Sequence, residues 1–141
     1  MIRTLITSLA LAALPLAAQA GETPSPADAK VYFIGLSDGD RVKSPVLLRF
    51  GLSGMGVAPA GVEKKGTGHH HLIIDAEAPT GEDLDYTIPA DENFVHFGGG
   101  QTEAMVTLSP GKHTLQLLLG DQNHIPHNPP VMSAKITITV K

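Results

Sequence analysis

Three consecutive histidines, His69, His70 and His71, follow a Gly66-Thr67-Gly68 turn and lead straight into the apolar run Leu72-Ile73-Ile74. The glycines permit a tight turn, and the β-branched run has the character of a buried strand. The imidazoles therefore sit where a loop becomes a strand, at the rim of a core. Alternate side chains of a strand point to opposite faces, which puts His69 and His71 together and His70 on the other face. Two residues apart on one face they are spaced roughly 6.5–7 Å at the backbone, close enough to converge on one metal ion. His96 stands between Val95 and Phe97, ahead of three glycines, and His124 and His127 lie in the Pro-rich stretch from Gly120 to Pro130. Imidazole is the commonest side-chain ligand for zinc, copper and nickel, and three or four of them make an open site. The candidate ligands are thus His69, His70, His71, His96, His124 and His127, with copper or zinc as the ion. Asp121 could ligate or orient an imidazole, and Asp75 is the second carboxylate close to the motif. Pro126, Pro129 and Pro130 would stiffen the loop and reduce the entropy lost on metal capture. Met55 could add a soft thioether for Cu(I), although loop methionines are more often packing residues.

Each histidine also has a plainer role open to it. His70 shares a face with Leu72 and Ile74 and reads equally as a core or rim histidine. His96 could simply pack, and His124 and His127 could be hydrogen-bonded loop residues.

Residues 1–20 have the pattern of a secretory signal: Arg3, an apolar stretch from Leu5 to Leu16, and the small-x-small site Ala18-Gln19-Ala20. The apolar run is short for a membrane span. Cleavage after Ala20 leaves a single domain with a modest core, destined for the periplasm. The chain has no cysteine, so an exported domain here holds together without disulfides and has no thiolate chemistry. Loss of Arg3 leaves nine basic against fourteen acidic residues, a net charge near −5 with histidines neutral. That balance argues against nucleic acid and anionic membrane surfaces as partners and mildly favours cations.

What must position the histidines is a set of short strands. Residues 21–29 are Pro-rich and polar and read as a flexible leader before a single domain over 30–141. Strand signals follow at 31–34, 46–52, 69–75, 94–97, 102–108, 112–119 and 131–140, the last with Ala134, Ile136, Ile138 and Val140 on one face. The Gly-rich stretch 53–68 reads as a long loop, and the acidic stretch 76–93, broken by Pro79 and Pro89, as a solvated connection. Met132 shares a face with Ala134 and Ile136 and reads as core. Seven short strands with turns between them predict an all-β fold, an immunoglobulin-like antiparallel β-sandwich. If the strands alternate in direction, six histidines gather at one end and His113 lies at the other. His113 opens the sixth strand as the tyrosine corner opens its counterpart in such sandwiches, which predicts a corner residue bonded to backbone.

The motifs Gly-Thr-Gly-His-His-His-Leu (66–72), His-Phe-Gly-Gly-Gly-Gln-Thr-Glu (96–103), Pro-Gly-Lys-His-Thr-Leu (110–115) and Gly-Asp-x-Asn-His-x-Pro-His-x-Pro-Pro (120–130) resemble a bacterial family of exported domains described as a domain of unknown function. The resemblance covers the chain from about residue 30. It implies a secreted or periplasmic single-domain protein with the histidine motifs as its hallmark, and it carries no established activity.

Three functional readings follow. The first is a periplasmic module that binds copper or zinc for storage, delivery or tolerance, with the ion and another periplasmic protein as partners and no membrane insertion after cleavage. The second is a structural or interaction module of the cell envelope, its histidines forming a hydrogen-bonded or pH-sensitive patch. The third is a mononuclear metalloenzyme. Against the enzyme, only Asp75 and Asp121 offer a general base, and no Ser-His-Asp spacing or nucleophile elbow is present.

Overall fold

The alternating segment Val46–Ser53 (β3) buries Val46, Leu48 and Phe50 and turns Leu47 and Arg49 outward. It forms the centre of a three-stranded sheet, antiparallel to Lys30–Phe33 (β1) on one side and Glu103–Val106 (β7) on the other. The opposing sheet runs in the order Arg41–Val42 (β2), Ile136–Val140 (β9), Gly111–Gly120 (β8), Thr67–Ile74 (β5) and Gly56–Val57 (β4), with Phe94–His96 (β6) also paired to β5. The long pairings β5–β8 and β8–β9 are antiparallel, while the two-residue strands β2 and β4 pair in parallel. Between the sheets Leu48, Phe50, Leu72, Leu115, Leu117 and Ile138 are buried in one continuous cluster. The molecule is an all-β sandwich of immunoglobulin-like layout, as its alternation pattern predicts.

The computed structural model describes residues 21 and 23–141. The signal-peptide reading falls on residues 1–20, outside the described residues. The stretch read as a flexible leader contacts the last loop of the domain. Pro24 bridges Asn128, Ser25 N donates to Asn128 O (3.1 Å), and the Thr23 hydroxyl donates to Asp121 Oδ2 (2.6 Å). The expected strand over 131–140 is regular only from Ile136. Ala134 is exposed, and Met132 makes an isolated bridge with Leu118. Ser133 takes over backbone partners there, its hydroxyl accepting from Leu117 N (2.8 Å) and donating to Ala134 O.

The larger correction concerns residues 76–93. This stretch contains a 3-10 turn at Gly81–Asp85 and then lays Ile88, which is buried, over Ile73 and Leu118. Phe94, Ala76, Ala78 and Met132 complete a small second apolar cluster on the outer face of the large sheet. Both faces of β5 are therefore covered, which is why Leu72, Ile73 and Ile74 are all apolar. Among the described residues no helix is long and apolar enough to cross a membrane.

Candidate metal centre

Strand parity divides the three consecutive histidines. His70 points between the sheets, with its ring centroid 5.3 Å from that of Phe50, and among the described residues neither of its ring nitrogens has a hydrogen-bond partner. It is a core residue and stands apart from the other imidazoles, so it is withdrawn from the ligand set. His69 and His71 share the outer face, at the end of the sheet where the second apolar cluster begins, and their centroids are 4.7 Å apart. Both are closed off from solvent, at 0% and 1% exposure.

The other members arrive by pairing. Register sets His96 of β6 directly opposite His71, and the two rings stack 5.0 Å apart at 27°. On the opposite side of β5, His69 faces Gly120, the last residue of β8, so the loop that follows begins beside the cluster. That loop brings in His124, whose centroid lies 4.5 Å from His96, 5.1 Å from His69 and 6.1 Å from His71. Four imidazoles thus converge. The nitrogens of His69, His71 and His96 can all lie within 4.8 Å of one another, and the Nε2 atoms of His96 and His69 are already 3.1 Å apart. An ion with tetrahedral bonds of about 2.0–2.1 Å would separate its nitrogen ligands by roughly 3.3 Å, so a modest contraction closes the set.

His124 is held by a turn designed around Asp121. The Asp121 carboxylate accepts from Asn123 N (2.8 Å) and Ile125 N (3.0 Å) through Oδ1 and from Thr23 through Oδ2, and His124 N donates to Asp121 O (3.0 Å). His124 itself has φ +65°, a left-handed conformation that few side chains adopt outside a constrained site. Its carbonyl accepts from Ile88 N (2.8 Å), which ties the loop to the covering segment. Asp121 therefore acts on the loop backbone; its field raises His69's affinity for a proton without a direct hydrogen bond between the two.

Two expected members lie elsewhere. His127 is buried on the Gly68 side of β5, and its Nε2 donates to Thr67 O (3.1 Å), which spends that nitrogen on the backbone. Asp75 is at the far end of β5, where it binds His113. There His113 Nδ1 donates to Asp75 Oδ2 (2.6 Å) and Nε2 donates to Ser109 O (2.8 Å), while Asp75 Oδ1 accepts from Thr114 N (2.8 Å). His113 is the corner residue its position predicts. Met55 packs against the main core cluster rather than reaching the imidazoles.

The electrostatics at His69, His71 and His96 favour neutral imidazole. Burial, reinforced by the neighbouring rings of His96 and His124, pushes His69 from 6.5 down to about 4. Burial and the rings of His69, His96 and His124 push His71 down to about 3. His96, the most open of the three, is lowered by partial burial and then by His124. Neutral rings present lone pairs, yet among the described residues His69 Nδ1 and both nitrogens of His71 are buried without a partner. Each such atom costs about 1–3 kcal/mol relative to a satisfied one. A cation held among the rings would give such nitrogens a partner.

The sequence reading missed two glycines that the site requires. A Cβ at Gly120 would lie 2.6 Å from Cε1 of His71, and one at Gly98 would lie 2.3 Å from Cε1 of His96. Both appear in sequence only as strand-ending glycines, because their clearance role depends on cross-strand register and ring placement.

A family model described as Domain of unknown function (DUF4399) matches residues 48–141. The chain belongs to that family. The span matched by the DUF4399 model contains His69, His71, His96 and His124 with the strands that carry them, and begins after β1 and the Thr23 strap. No curated protein and no solved structure matches the chain.

Proposed function

We propose that the chain is an exported, periplasmic protein that binds one copper or zinc ion through His69, His71, His96 and His124, for storage, delivery or tolerance. A delivery role implies a second periplasmic protein as partner. The observation that carries the reading is His71: 1% exposed, with both ring nitrogens unpartnered among the described residues, inside a group of four imidazoles. Export rests on the pattern over residues 1–20, and the four motif stretches that resemble the family's all overlap the span the family model matches.

A histidine hydrogen-bond network is less well supported, since among the described residues the rings make a single ring-to-ring hydrogen bond, between His69 and His96. An enzyme is less well supported again, because Asp75 and Asp121 direct their carboxylates to His113 and to loop amides. The test is a competitive titration of the tag-free chain from Gly21 with Cu(II) and with Zn(II) near neutral pH. Tight one-to-one binding is expected. His124→Ala should weaken it by at least about tenfold, and His127→Ala should leave affinity nearly unchanged. Weak, non-stoichiometric adsorption would overturn the proposal and favour the envelope-module reading.

A further inference from the structure

The position of His96 depends on an atom that is absent. The ring lies over the backbone of the turn that follows β6, so close that a Cβ at Gly98 would stand 2.3 Å from its Cε1, 2.6 Å from its Nε2 and 3.2 Å from its Nδ1. In that pose Nε2 points to His69 Nε2 at 3.1 Å. Resting on the metal reading above, we infer that Gly98 is a positioning residue of the metal centre, whose bare Cα lets the His96 ring fold back over the turn and complete the ligand set.

Conformation is not the reason for glycine here. Gly100, two residues on, has φ +81°, but Gly98 is not among the residues in the left-handed region, so alanine fits its backbone. Gly98 O accepts from Ala60 N (2.8 Å), a bond that alanine preserves. What alanine cannot preserve is the ring. Real carbon contacts do not reach 2.3 Å, so His96 must leave its pose. It has somewhere to go, since His96 is only half-buried and its ring can swing toward solvent without moving the core. Gly120 makes the same kind of room for His71, but both residues are fully enclosed in the central sheet, so alanine there would disturb the fold as well. Gly98 separates the two effects.

The experiment is a double-mutant cycle on the tag-free chain, with affinity for Cu(II) and Zn(II) read by competitive titration and melting followed on the apo protein. Gly98→Ala should lower affinity about 10- to 100-fold, close to the loss for His96→Ala, with the apo melting midpoint held. In the His96→Ala background Gly98→Ala should add nothing, because its effect runs entirely through that ring. Gly99→Ala, whose Cβ would have the exposed Gln101 amide as its nearest neighbour at 3.1–3.3 Å, is the control. The Cu(II) spectrum of Gly98→Ala should report one nitrogen ligand fewer and match that of His96→Ala. If His96→Ala weakens binding while Gly98→Ala does not, or if Gly98→Ala weakens it further in the absence of His96, the inference is overturned and the metal centre stands. If His96→Ala leaves affinity intact, the metal centre as drawn falls, and this inference with it.

Discussion

At the His113 corner both ring nitrogens face acceptors, the Asp75 carboxylate and the Ser109 carbonyl, whereas at His71 neither nitrogen has a partner among the described residues. The first arrangement needs two N–H groups and so holds the proton: the hydrogen bond to Asp75 raises His113 above 6.5. Because the folded value lies above the unfolded one, this contribution to stability is complete below about pH 6.5 and is lost as pH rises through the folded value. His113→Ala should therefore destabilise the apo protein by about 1–2 kcal/mol at pH 6 and by less at pH 9, in denaturant melts, while leaving metal affinity alone. Equal losses at both pH values would mean that the charge on His113 contributes nothing.

Among the elements, the loop after β8 shows how a short stretch is made rigid enough to present a ligand. Its turn is closed by one carboxylate, and the Thr23 strap holds that carboxylate from outside. Asp121→Ala leaves two loop amides and a hydroxyl without their acceptor, so a loss of about 1–3 kcal/mol in apo stability together with weaker metal binding is expected. Asp121→Asn, which keeps one carbonyl oxygen, should do less, and calorimetry with titration on the two variants checks the order. Much of this architecture is legible in the sequence. Period-two alternation marks Val46 to Leu52 and Lys112 to Leu119, and turn residues between strands deliver the histidines to one end with His113 at the other. The sidedness of β5 is not legible, since Leu72, Ile73 and Ile74 are apolar on both faces and the reason is Ile88, a residue in a stretch whose acidic composition reads as solvated. Nor is the separation of His124 from His127, three residues apart in one loop, because it turns on the left-handed backbone at His124 and the bond from His127 to Thr67.

For the molecule as a whole, the cluster trades apo stability for readiness. His69 and His71 have folded values of about 4 and about 3, below the unfolded 6.5, so their contribution is intact above pH 6.5 and is lost as pH falls toward those values, the unfolded chain taking up protons first. Apo stability should decline between pH 6.5 and 5, a window in which unperturbed carboxylates barely titrate. On the proposed function, metal would reverse the deficit. At a free ion concentration about a hundred times Kd, binding adds about 2.7 kcal/mol, a rise in melting midpoint on the order of 10 °C that chelator removes. A midpoint indifferent to both ion and chelator would contradict a bound metal.

The four imidazoles come from three separate stretches of chain, around residues 69–71, 96 and 124, and meet only through the pairing of β5 with β6 and β8. Such a centre has a birthday: it does not exist in an unfolded polypeptide, where His69, His70 and His71 are merely neighbours in a flexible string. On the proposed function, the chain would be made without carrying cargo at this centre, which is assembled only once the sandwich has closed. Uptake of an ion would then follow folding in time and report on it.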